Sequence, residues 1–375
     1  MRIGINALYL LPGKVGGSET YALNIVKGLL DADRENEYVI FINRECAGLF
    51  EKHAPGARIV RCPLNASSRP MRILWEQFVL PFQLRRHKID LLFSPGLTTP
   101  FFSPVPSALV IFDMQHVNQP QFFPAFFLFF LRTIIRLSAK AASRIITISE
   151  RSKKDVVEFY GIRPDKISVT YLAANKAFGA QNKTDADRVR GKYGLPERFI
   201  LYAAASLPHK NHLRLLEAFK SVLEKFPDVR LVLTGARDYG QEAISRRIKE
   251  LGLEGSVVFL GWLPFEDLPG LYAASTVFVF PTTHEGFGIP VLEAFASGVP
   301  VVCSRIEPLT EVAGDAALYI DPMSVSSIAE GILKALGDGG LRQRLVEKGF
   351  YRAGQFSWEK AVKETLSVFN SLKRG

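Results

Sequence analysis

The chain has 375 residues, a formal net charge of +10 and only three cysteines. Its length predicts two domains, and a content of 47% hydrophobic and 22% charged residues excludes disordered and collagen-like chains. Three cysteines without a C-x-x-C pair exclude a disulfide framework and a structural zinc site. The sequence begins without the pattern of a secretion signal, so the expected location is the cytoplasm.

The positive charge is concentrated in the first half of the chain. Residues 1–180 contain 23 Lys and Arg against 14 Asp and Glu, whereas residues 181–375 contain 24 against 23. This asymmetry predicts that the first half meets an anionic partner, unless the surplus only solvates its surface. The sequence has no helix-turn-helix, zinc-finger or RNP-like pattern, so nucleic acid is not expected and an anionic membrane surface is favoured.

Short β-rich runs alternate with longer amphipathic segments, which predicts parallel sheets with crossover helices. The predicted strands of the first half are Arg2–Leu8, Tyr38–Asn43, Arg58–Cys62, Ile89–Ser94, Ala108–Asp113, Arg144–Ser149 and Ile167–Leu172. Those of the second half are Phe199–Ala204, Val229–Gly235, Ser256–Gly261, Thr276–Pro281, Pro300–Ser304 and Ala317–Asp321. Both halves are therefore predicted to be doubly wound α/β domains.

A polar stretch, Asn175–Arg190, is the predicted linker between the halves. The predicted domains are residues 1–178 and 179–356, and they are followed by a helix within residues 357–375 that can pack across either domain and cross back to the first. Ligands of such sheets bind outside the carboxyl ends of the strands, so we expect the functional site in a cleft between the domains.

The clearest motif follows the predicted strand Thr276–Pro281 and reads T-T-H-E-G-F-G-I-P-V-L-E-A, ending at Ala294. Gly286 and Gly288 allow the backbone to approach a ligand, and Pro290 favours the first turn of a helix. The free N–H groups and the positive end of the helix dipole can then hold a phosphate. Taken alone, the pattern also fits an ordinary strand–helix junction.

Two glutamates in this motif are separated by seven residues. Glu293, one turn into the predicted helix, can accept hydrogen bonds from two ribose hydroxyls, and Glu285 on the loop can reach the hydroxyls of a second sugar. The structural alternative is that both carboxylates cap the junction. Their spacing, together with the glycine-rich insert, favours the ligand-binding interpretation.

This segment resembles the E-x7-E motif of retaining glycosyltransferases of the GT-B fold, in particular the large family 4 of nucleotide-sugar transferases. Further segments resemble the family in the expected order: Gly16–Glu19, Val39–Asn43, Asp113–His116, Ile148–Ser152, Lys210–Asn211, Thr234–Ala236, Gly261–Trp262, Ala274–Ser275 and Glu311–Asp315. The resemblance covers nearly the whole chain. It implies an α/β protein of the GT-B fold, with two doubly wound Rossmann-like domains that face each other across a cleft.

The resemblance also implies a glycosyltransferase that holds its nucleotide-sugar donor on the second domain and its acceptor on the first. The implied donor-binding residues are Gly16, Gly17, Lys210, Glu285, Gly286, Phe287, Gly288, Ile289 and Glu293, and the implied catalytic residues are His116, Lys210 and Glu285. Lys210 would neutralise the diphosphate, and Gly16 and Gly17 would approach it through backbone amides. His116, oriented by Asp113, would act at the sugar.

Most members of the family carry an arginine five residues before this lysine, where the present chain has Ala205. His209 is a candidate replacement, and a small residue at this position resembles a branch of lipopolysaccharide mannosyltransferases. GDP-mannose is therefore favoured over UDP-sugars, and no cofactor is expected. D-A-D at residues 31–33 and 185–187 imitates a metal motif, but the first ends a predicted helix and the second lies in the linker, so no metal is expected.

The implied reaction moves a hexose, with mannose favoured, to a glycan or lipid-linked saccharide acceptor in cell-surface polysaccharide synthesis, with retention at the anomeric carbon. It needs no protein nucleophile, because the departing diphosphate can be stabilised and can take the acceptor proton. Two alternatives remain open. One is an inverting GT-B transferase or an epimerase, and the other is a non-catalytic sugar-nucleotide-binding scaffold, which the alanine at position 205 favours.

The most apolar segment is Phe122–Leu131, which is far shorter than the roughly 20 residues that span a bilayer. Arg132, Arg136 and Lys140 follow it at helical spacing. A buried core helix explains the apolar part but not the row of cations. The alternative is a helix that rests on the anionic cytoplasmic leaflet near the acceptor site, which predicts a peripheral location on the inner face of the plasma membrane.

Overall fold

The computed structural model describes residues 1–13, 16–179, 183–236 and 240–373. The chain divides into two compact units: unit 1 contains Met1–Leu172 and the chain from Ser357 onward, and unit 2 contains Ala173–Phe356. The first division falls after Leu172, a few residues before the boundary expected at residue 178.

Unit 1 is built on a seven-stranded parallel sheet with the strand order β3-β2-β1-β4-β5-β6-β7. Its strands are β1 (Arg2–Ala7), β2 (Glu37–Ile42), β3 (Arg58–Arg61), β4 (Leu91–Ser94), β5 (Ser107–Ile111), β6 (Arg144–Thr147) and β7 (Ile167–Val169). Its α-helices are α1 (Gly17–Ala32), α2 (Leu49–His53), α3 (Arg69–Leu74), α4 (Leu80–Arg86), α5 (Gln115–Asn118), α6 (Ala125–Ala141) and α7 (Glu150–Tyr160).

Unit 2 is built on a six-stranded parallel sheet with the strand order β10-β9-β8-β11-β12-β13. Its strands are β8 (Phe199–Ala203), β9 (Arg230–Thr234), β10 (Val257–Gly261), β11 (Val277–Phe280), β12 (Val301–Ser304) and β13 (Ala317–Ile320). Its α-helices are α8 (Lys183–Tyr193), α9 (His212–Lys225), α10 (Gln241–Leu251), α11 (Leu268–Ala274), α12 (Ile289–Ala296), α13 (Leu309–Ala313), α14 (Val325–Gly337) and α15 (Gly339–Ala353).

The predicted strands are present in both units, with ends that differ by a few residues, and the doubly wound α/β architecture is confirmed. The central strands are buried along their whole length: all four residues of β4, β11 and β12 are buried. Helices cover both faces of a parallel sheet, so such strands are continuous apolar runs in the sequence. This property makes them easy to locate.

The predicted linker Asn175–Arg190 is wrong in its second half, where α8 begins at Lys183; residues 180–182 lie outside the described residues. The D-A-D sequence at residues 185–187 therefore lies on a helix and not in a linker. Arg188, Lys192 and Tyr193 of α8 all contact the fully buried carboxylate of Asp267, at 2.6–2.7 Å. These charge-assisted contacts fasten the polar helix to unit 2 and hold the pKa of Asp267 well below its usual range.

The last helix, α16 (Trp358–Lys373), packs in unit 1. It lies against α1, where a Cβ added at Gly28 would come within 2.4 Å of Val362, so only glycine permits this approach. The ring of Phe369 makes an edge contact with Phe93 of β4, with 5.2 Å between centroids. The helix is therefore part of the core of unit 1 although unit 2 separates it from the rest in sequence.

Candidate active site

The loop between β11 and α12 has the geometry of a phosphate-binding junction. Gly288 precedes the helix with φ 110°, and a Cβ at this position would lie 2.5 Å from Leu309. Only glycine combines this backbone conformation with this close packing. Pro290 occupies the first turn of α12, where its missing N–H costs nothing, so the amino end of the helix dipole opens onto the loop.

A second segment, the 3₁₀ turn Pro208–Lys210 between β8 and α9, is fastened to this loop. The carbonyl of His209 accepts hydrogen bonds from the backbone N–H of Thr283 at 2.8 Å and from the hydroxyl of Thr282 at 3.0 Å. Asn211, which adopts a left-handed conformation with φ 63°, donates from its side-chain amide to the carbonyls of Pro281 and Pro322 at 2.9 and 2.7 Å. The turn and the loop are thereby held as one piece.

This attachment brings two of the predicted site residues into contact. The Nζ atom of Lys210 lies 2.5 Å from Oε1 of Glu285, and the two side chains are 17% and 12% exposed. The same ammonium group lies 5.5 Å from the ring centroid of Phe280, which is the last residue of β11. The contact holds the ammonium group of Lys210 at the loop that leads into α12, where an anionic ligand would also meet the helix dipole.

Glu293, in the second turn of α12, is half-buried and accepts a hydrogen bond from the hydroxyl of Tyr272 at 3.1 Å. Burial raises the pKa of its carboxyl to about 7, and the hydrogen bond from Tyr272 opposes this rise. The group therefore changes its ionisation near neutral pH. A ligand whose hydroxyls donate to Glu293 would favour the carboxylate form.

Two other residues that the sequence singled out, Phe287 and His209, are buried. The side chain of Phe287 is buried and packs edge-on against Phe356, with 5.9 Å between ring centroids, so a donor can meet only its backbone. His209 is the candidate replacement for the arginine that is missing at Ala205. Burial, and then the charge of Lys210, lower its pKa to about 3, so this histidine adds no positive charge near pH 7.

The remaining predicted residues lie in unit 1. Gly16 precedes α1 with φ 57° and ψ −127°, and its carbonyl accepts from the N–H groups of Glu19 and Thr20. Gly17 is the first residue of α1, so both glycines lie at the positive end of this helix dipole. The N–H of Gly13 donates a hydrogen bond of 2.8 Å to the carboxylate of Glu19 in the first turn of α1.

His116 lies in α5, after β5, and only 4% of its surface is exposed. Its Nε2 atom is 2.6 Å from the hydroxyl of Tyr160. Burial lowers the pKa of His116 to about 4, against the opposing charge of Asp113, so the imidazole is neutral at pH 7. The carboxylate of Asp113 accepts a hydrogen bond from the N–H of Gln115 at 3.0 Å, which fixes it at the start of the same short helix.

Several residues of unit 2 that complete this geometry were not among the predicted site residues. Tyr272 holds Glu293, and Asn211 and Thr282 hold the lysine turn. Nε2 of His284, next to Glu285, is buried and has no hydrogen-bond partner among the described residues. An asparagine directly after the lysine and a T-T-H run before the glutamate were the available signals.

Solved structures that match this chain in fold include glycosyltransferases of the GT-B fold. The fold of HepE from Anabaena, in a crystal structure with UDP and glucose, matches with a TM-score of 0.79 at 21% identity, over 99% of this chain and 100% of that one. Sucrose-phosphate synthase from Thermosynechococcus elongatus matches with a TM-score of 0.81 at 18% identity, over 100% and 99% of the two chains. The protein therefore has the GT-B fold.

Similarity in sequence identifies the family within the proteins of this fold. The chain is 34% identical over 262 residues to O-antigen chain mannosyltransferase B of Escherichia coli, which is 69% of each chain. It is 30% identical over 209 residues to O-antigen chain mannosyltransferase RfbU of Salmonella typhimurium, which is 55% of each chain. The model for Glycosyltransferase Family 4 matches residues 15–177, and that for Glycosyl transferases group 1 matches residues 184–352.

These matches in fold and in sequence show that the protein is a glycosyltransferase. The chain belongs to Glycosyltransferase Family 4. Its reaction is the transfer of a sugar from a nucleotide-sugar donor to a glycan acceptor.

Proposed function

We propose that this enzyme transfers mannose from GDP-mannose, with retention at the anomeric carbon, to a glycan or lipid-linked saccharide in cell-surface polysaccharide synthesis. The observation that carries the proposal is the contact of 2.5 Å between Lys210 and Glu285 beside the start of α12. The names of the relatives in Escherichia coli and Salmonella typhimurium support mannose as the sugar and a bacterial surface polysaccharide as the product.

In this proposal the donor is held by unit 2. Lys210 and the amino end of α12 neutralise the diphosphate, together with the backbone of Gly286, Gly288 and Ile289, and Glu293 accepts hydrogen bonds from the ribose. Glu285 binds hydroxyls of the transferred sugar. The unpartnered Nε2 of His284 supports a ligand at this place, because buried polar atoms in proteins are nearly always hydrogen-bonded.

The proposed chemistry is stabilisation of a departing diphosphate. As the bond to the anomeric carbon breaks, negative charge grows on the phosphate oxygens. Lys210 and the helix dipole stabilise this charge, and because both are already in place, the protein does not have to rearrange during the reaction. The leaving phosphate takes the acceptor proton, so no protein nucleophile and no metal ion are required. Gly16 and Gly17 of unit 1 are proposed to approach the diphosphate through backbone amides, at the positive end of α1.

His116 is proposed as the catalytic residue of unit 1, acting at the transferred sugar. With a pKa of about 4 it is a neutral hydrogen-bonding group at pH 7 and not a cation. One of its ring nitrogens is engaged by Tyr160, which fixes the orientation of the ring. A neutral imidazole can still donate one hydrogen bond to a sugar hydroxyl or to the transition state.

A donor panel tests this proposal. Purified protein is incubated with GDP-mannose, UDP-glucose or UDP-N-acetylglucosamine and with octyl α-mannotrioside as the acceptor. The thermal shift, the release of free nucleoside diphosphate and the anomeric configuration of the new glycosidic bond by NMR are measured. Preferential stabilisation and turnover of GDP-mannose with an α-linked product supports it, since this donor is the α-anomer. A β-linked product indicates an inverting enzyme, and binding without turnover indicates a sugar-nucleotide-binding scaffold.

We also propose that unit 1 rests on an anionic membrane surface. Helix α6 begins at Ala125, and Phe126 and Phe129 in its first turns are 86% and 72% exposed, so this part is not a buried core helix. Met71, Leu74, Phe78 and Phe82 of the neighbouring helical segment 69–86 are 51–69% exposed. Ile73 and Ile134 share one buried cluster, so the two apolar faces are neighbours.

Basic residues lie next to these exposed apolar side chains. Arg136 and Lys140 are exposed, and Arg69 lies over the ring of Phe127 at 5.1 Å. Aromatic side chains flanked by basic residues are typical of segments that insert into the headgroup region of anionic bilayers. Among the described residues, no helix is long and apolar enough to span a bilayer.

Co-sedimentation with vesicles tests the membrane proposal. Binding to vesicles with 30% phosphatidylglycerol is expected to exceed binding to pure phosphatidylcholine, to fall with salt, and to weaken when Arg132, Arg136 and Lys140 are changed to Gln. The matched control changes Lys220, Arg246 and Lys249, three exposed cations of unit 2, to Gln. Equal recovery with both kinds of vesicle, or an equal effect of the control, contradicts the proposal.

A further inference from the structure

The helical segment 69–86 changes its helical geometry around a buried glutamate. It consists of α3, a π-helical stretch from Trp75 to Val79, and α4. Glu76 lies within the π-helical stretch and is 1% exposed. Such π-turns disrupt the regular ladder of backbone hydrogen bonds, and they occur frequently at functional sites.

The carboxylate of Glu76 joins the ends of two strands. Its Oε2 atom accepts hydrogen bonds from the side-chain amide of Asn6 in β1 at 2.9 Å and from the hydroxyl of Thr98, after β4, at 3.0 Å. Strands β1 and β4 are neighbours, and the order of the strands reverses between them. Glu76 therefore lies at the topological switch point of unit 1, where sheets of this class form a ligand-binding crevice.

Arg72 lies one turn before Glu76 and faces the same place. Its Nη1 atom is 3.3 Å from the hydroxyl of Thr98 and 3.7 Å from Oε2 of Glu76. The contacts made by its side chain among the described residues use Nη1, and 12% of the side chain is exposed. A guanidinium group has five N–H donors in a planar fork, so Nε and Nη2 retain donors that a ligand can use.

The loop that carries Thr98 is held in a strained conformation. Leu97 has φ 66°, although it is not glycine, and a Cβ at Gly96 would lie 2.2 Å from the ring of Tyr9. A non-glycine residue in the left-handed region is energetically unfavourable and persists only where the surroundings enforce it. Here the enforced conformation delivers the hydroxyl of Thr98 to both Arg72 and Glu76.

We propose that Arg72 binds the acceptor saccharide through hydroxyl oxygens, and that Glu76 is the positioning residue that fixes the guanidinium group. Arg72 and Glu76 together carry no net charge, which suits a neutral ligand rich in hydroxyl groups better than a phosphate. This inference rests on the proposed function and names the part of unit 1 that selects the acceptor.

Steady-state kinetics with GDP-mannose as donor and octyl α-mannotrioside as acceptor test the inference. Arg72→Gln is expected to raise the acceptor KM at least tenfold, while the dissociation constant of GDP and the hydrolysis of the donor in water change less than twofold. Glu76→Gln is expected to raise the acceptor KM with a smaller effect on kcat. Arg72→Lys keeps the charge but loses the planar guanidinium group, so its acceptor KM is expected to lie between those of Arg72→Gln and the wild type. Arg86→Gln, in the last turn of α4, is the matched control.

The outcomes separate this inference from the proposed function. If the wild type transfers mannose and Arg72→Gln and Arg72→Lys leave the acceptor KM unchanged, the assignment of Arg72 is overturned. If GDP affinity falls in parallel with acceptor affinity in these variants, Arg72 acts on the donor or on folding, and the inference is also wrong. If the wild type itself does not turn over GDP-mannose, the proposed donor fails, and the same variants are measured with the donor that the panel identifies.

Discussion

The two units present their candidate residues in different ways. In unit 2, Lys210, Glu285 and Glu293 come from two segments that hydrogen bonds tie together, and two of the three side chains already touch. In unit 1, Gly16 and His116 follow different strands, and the histidine is engaged by Tyr160. The candidate residues of unit 2 are therefore held together by contacts within the protein, whereas the two candidate positions of unit 1 lie on separate segments.

The largest expected effect on kcat comes from removing the side chain of Lys210 in unit 2. Lys210→Ala is expected to lower kcat by about 10²–10³-fold, because removal of one group that stabilises developing charge typically costs this much. Rapid-quench or steady-state kinetics with the preferred donor measure it. Lys220→Ala, which removes an exposed lysine on α9, is the control and should leave kcat unchanged. A change in the donor KM alone would show that Lys210 binds the ground state only.

The corresponding test in unit 1 is His116→Ala, for which a loss in kcat of about 10²-fold is expected if the imidazole acts in the transition state. Because the pKa of His116 is about 4, the wild-type rate should not titrate with this residue between pH 6 and 8. Stopped assays across this range measure both quantities. Full activity of His116→Ala with an unchanged melting temperature would reduce this residue to a packing partner of Tyr160.

The ionisation of Glu293 in unit 2 should make donor affinity depend on pH. Its pKa of about 7 in the free enzyme should fall when ribose hydroxyls donate to the carboxylate, so donor affinity should be constant above pH 8 and decrease as the pH falls below 7. Isothermal titration at several pH values measures this. Glu293→Gln should weaken binding at pH 8 by about 10-fold or more and abolish the pH dependence. Tyr272→Phe should move the midpoint to higher pH, because it removes the hydrogen bond that lowers the pKa.

The smallest expected effect concerns metal ions. Among the described residues, no group of three or more His, Cys, Asp or Glu side chains is placed to hold a metal ion. Activity is expected to change by less than twofold in excess EDTA. A loss that magnesium or manganese restores would contradict the role assigned to Lys210 and α12, because the ion would then neutralise the diphosphate.

The sequence predicted the fold well because its strands are apolar runs such as Val277–Phe280, which are buried on both faces. Glu285 and Glu293 could be proposed together from the sequence because both lie in one strand–loop–helix unit, and their shared role in binding stays a prediction. The prediction failed at α8, which has few apolar residues and is attached to segments far along the chain. The attachment uses the buried carboxylate of Asp267 and close packing against Gly270 of α11.

The sequence also gave no indication of the polar network around Glu76. Asn6, Glu76 and Thr98 are separated by 70 and 22 residues in the chain, and only the adjacency of β1 and β4 brings them together. Nothing in the local pattern around any of the three marks it as a partner of the others. Sites assembled by sheet topology in this way require the three-dimensional structure.

The position of α16 has a consequence for biosynthesis. A ribosome releases unit 1 first, but Gly28 and Phe93 of that unit lie against Val362 and Phe369, which emerge only after the whole of unit 2. Domains generally fold as the chain appears, at about 5–20 residues per second. The nascent protein must therefore keep an incomplete first unit in solution for many seconds while the second folds, and chaperones that recognise exposed apolar surface would act during this interval.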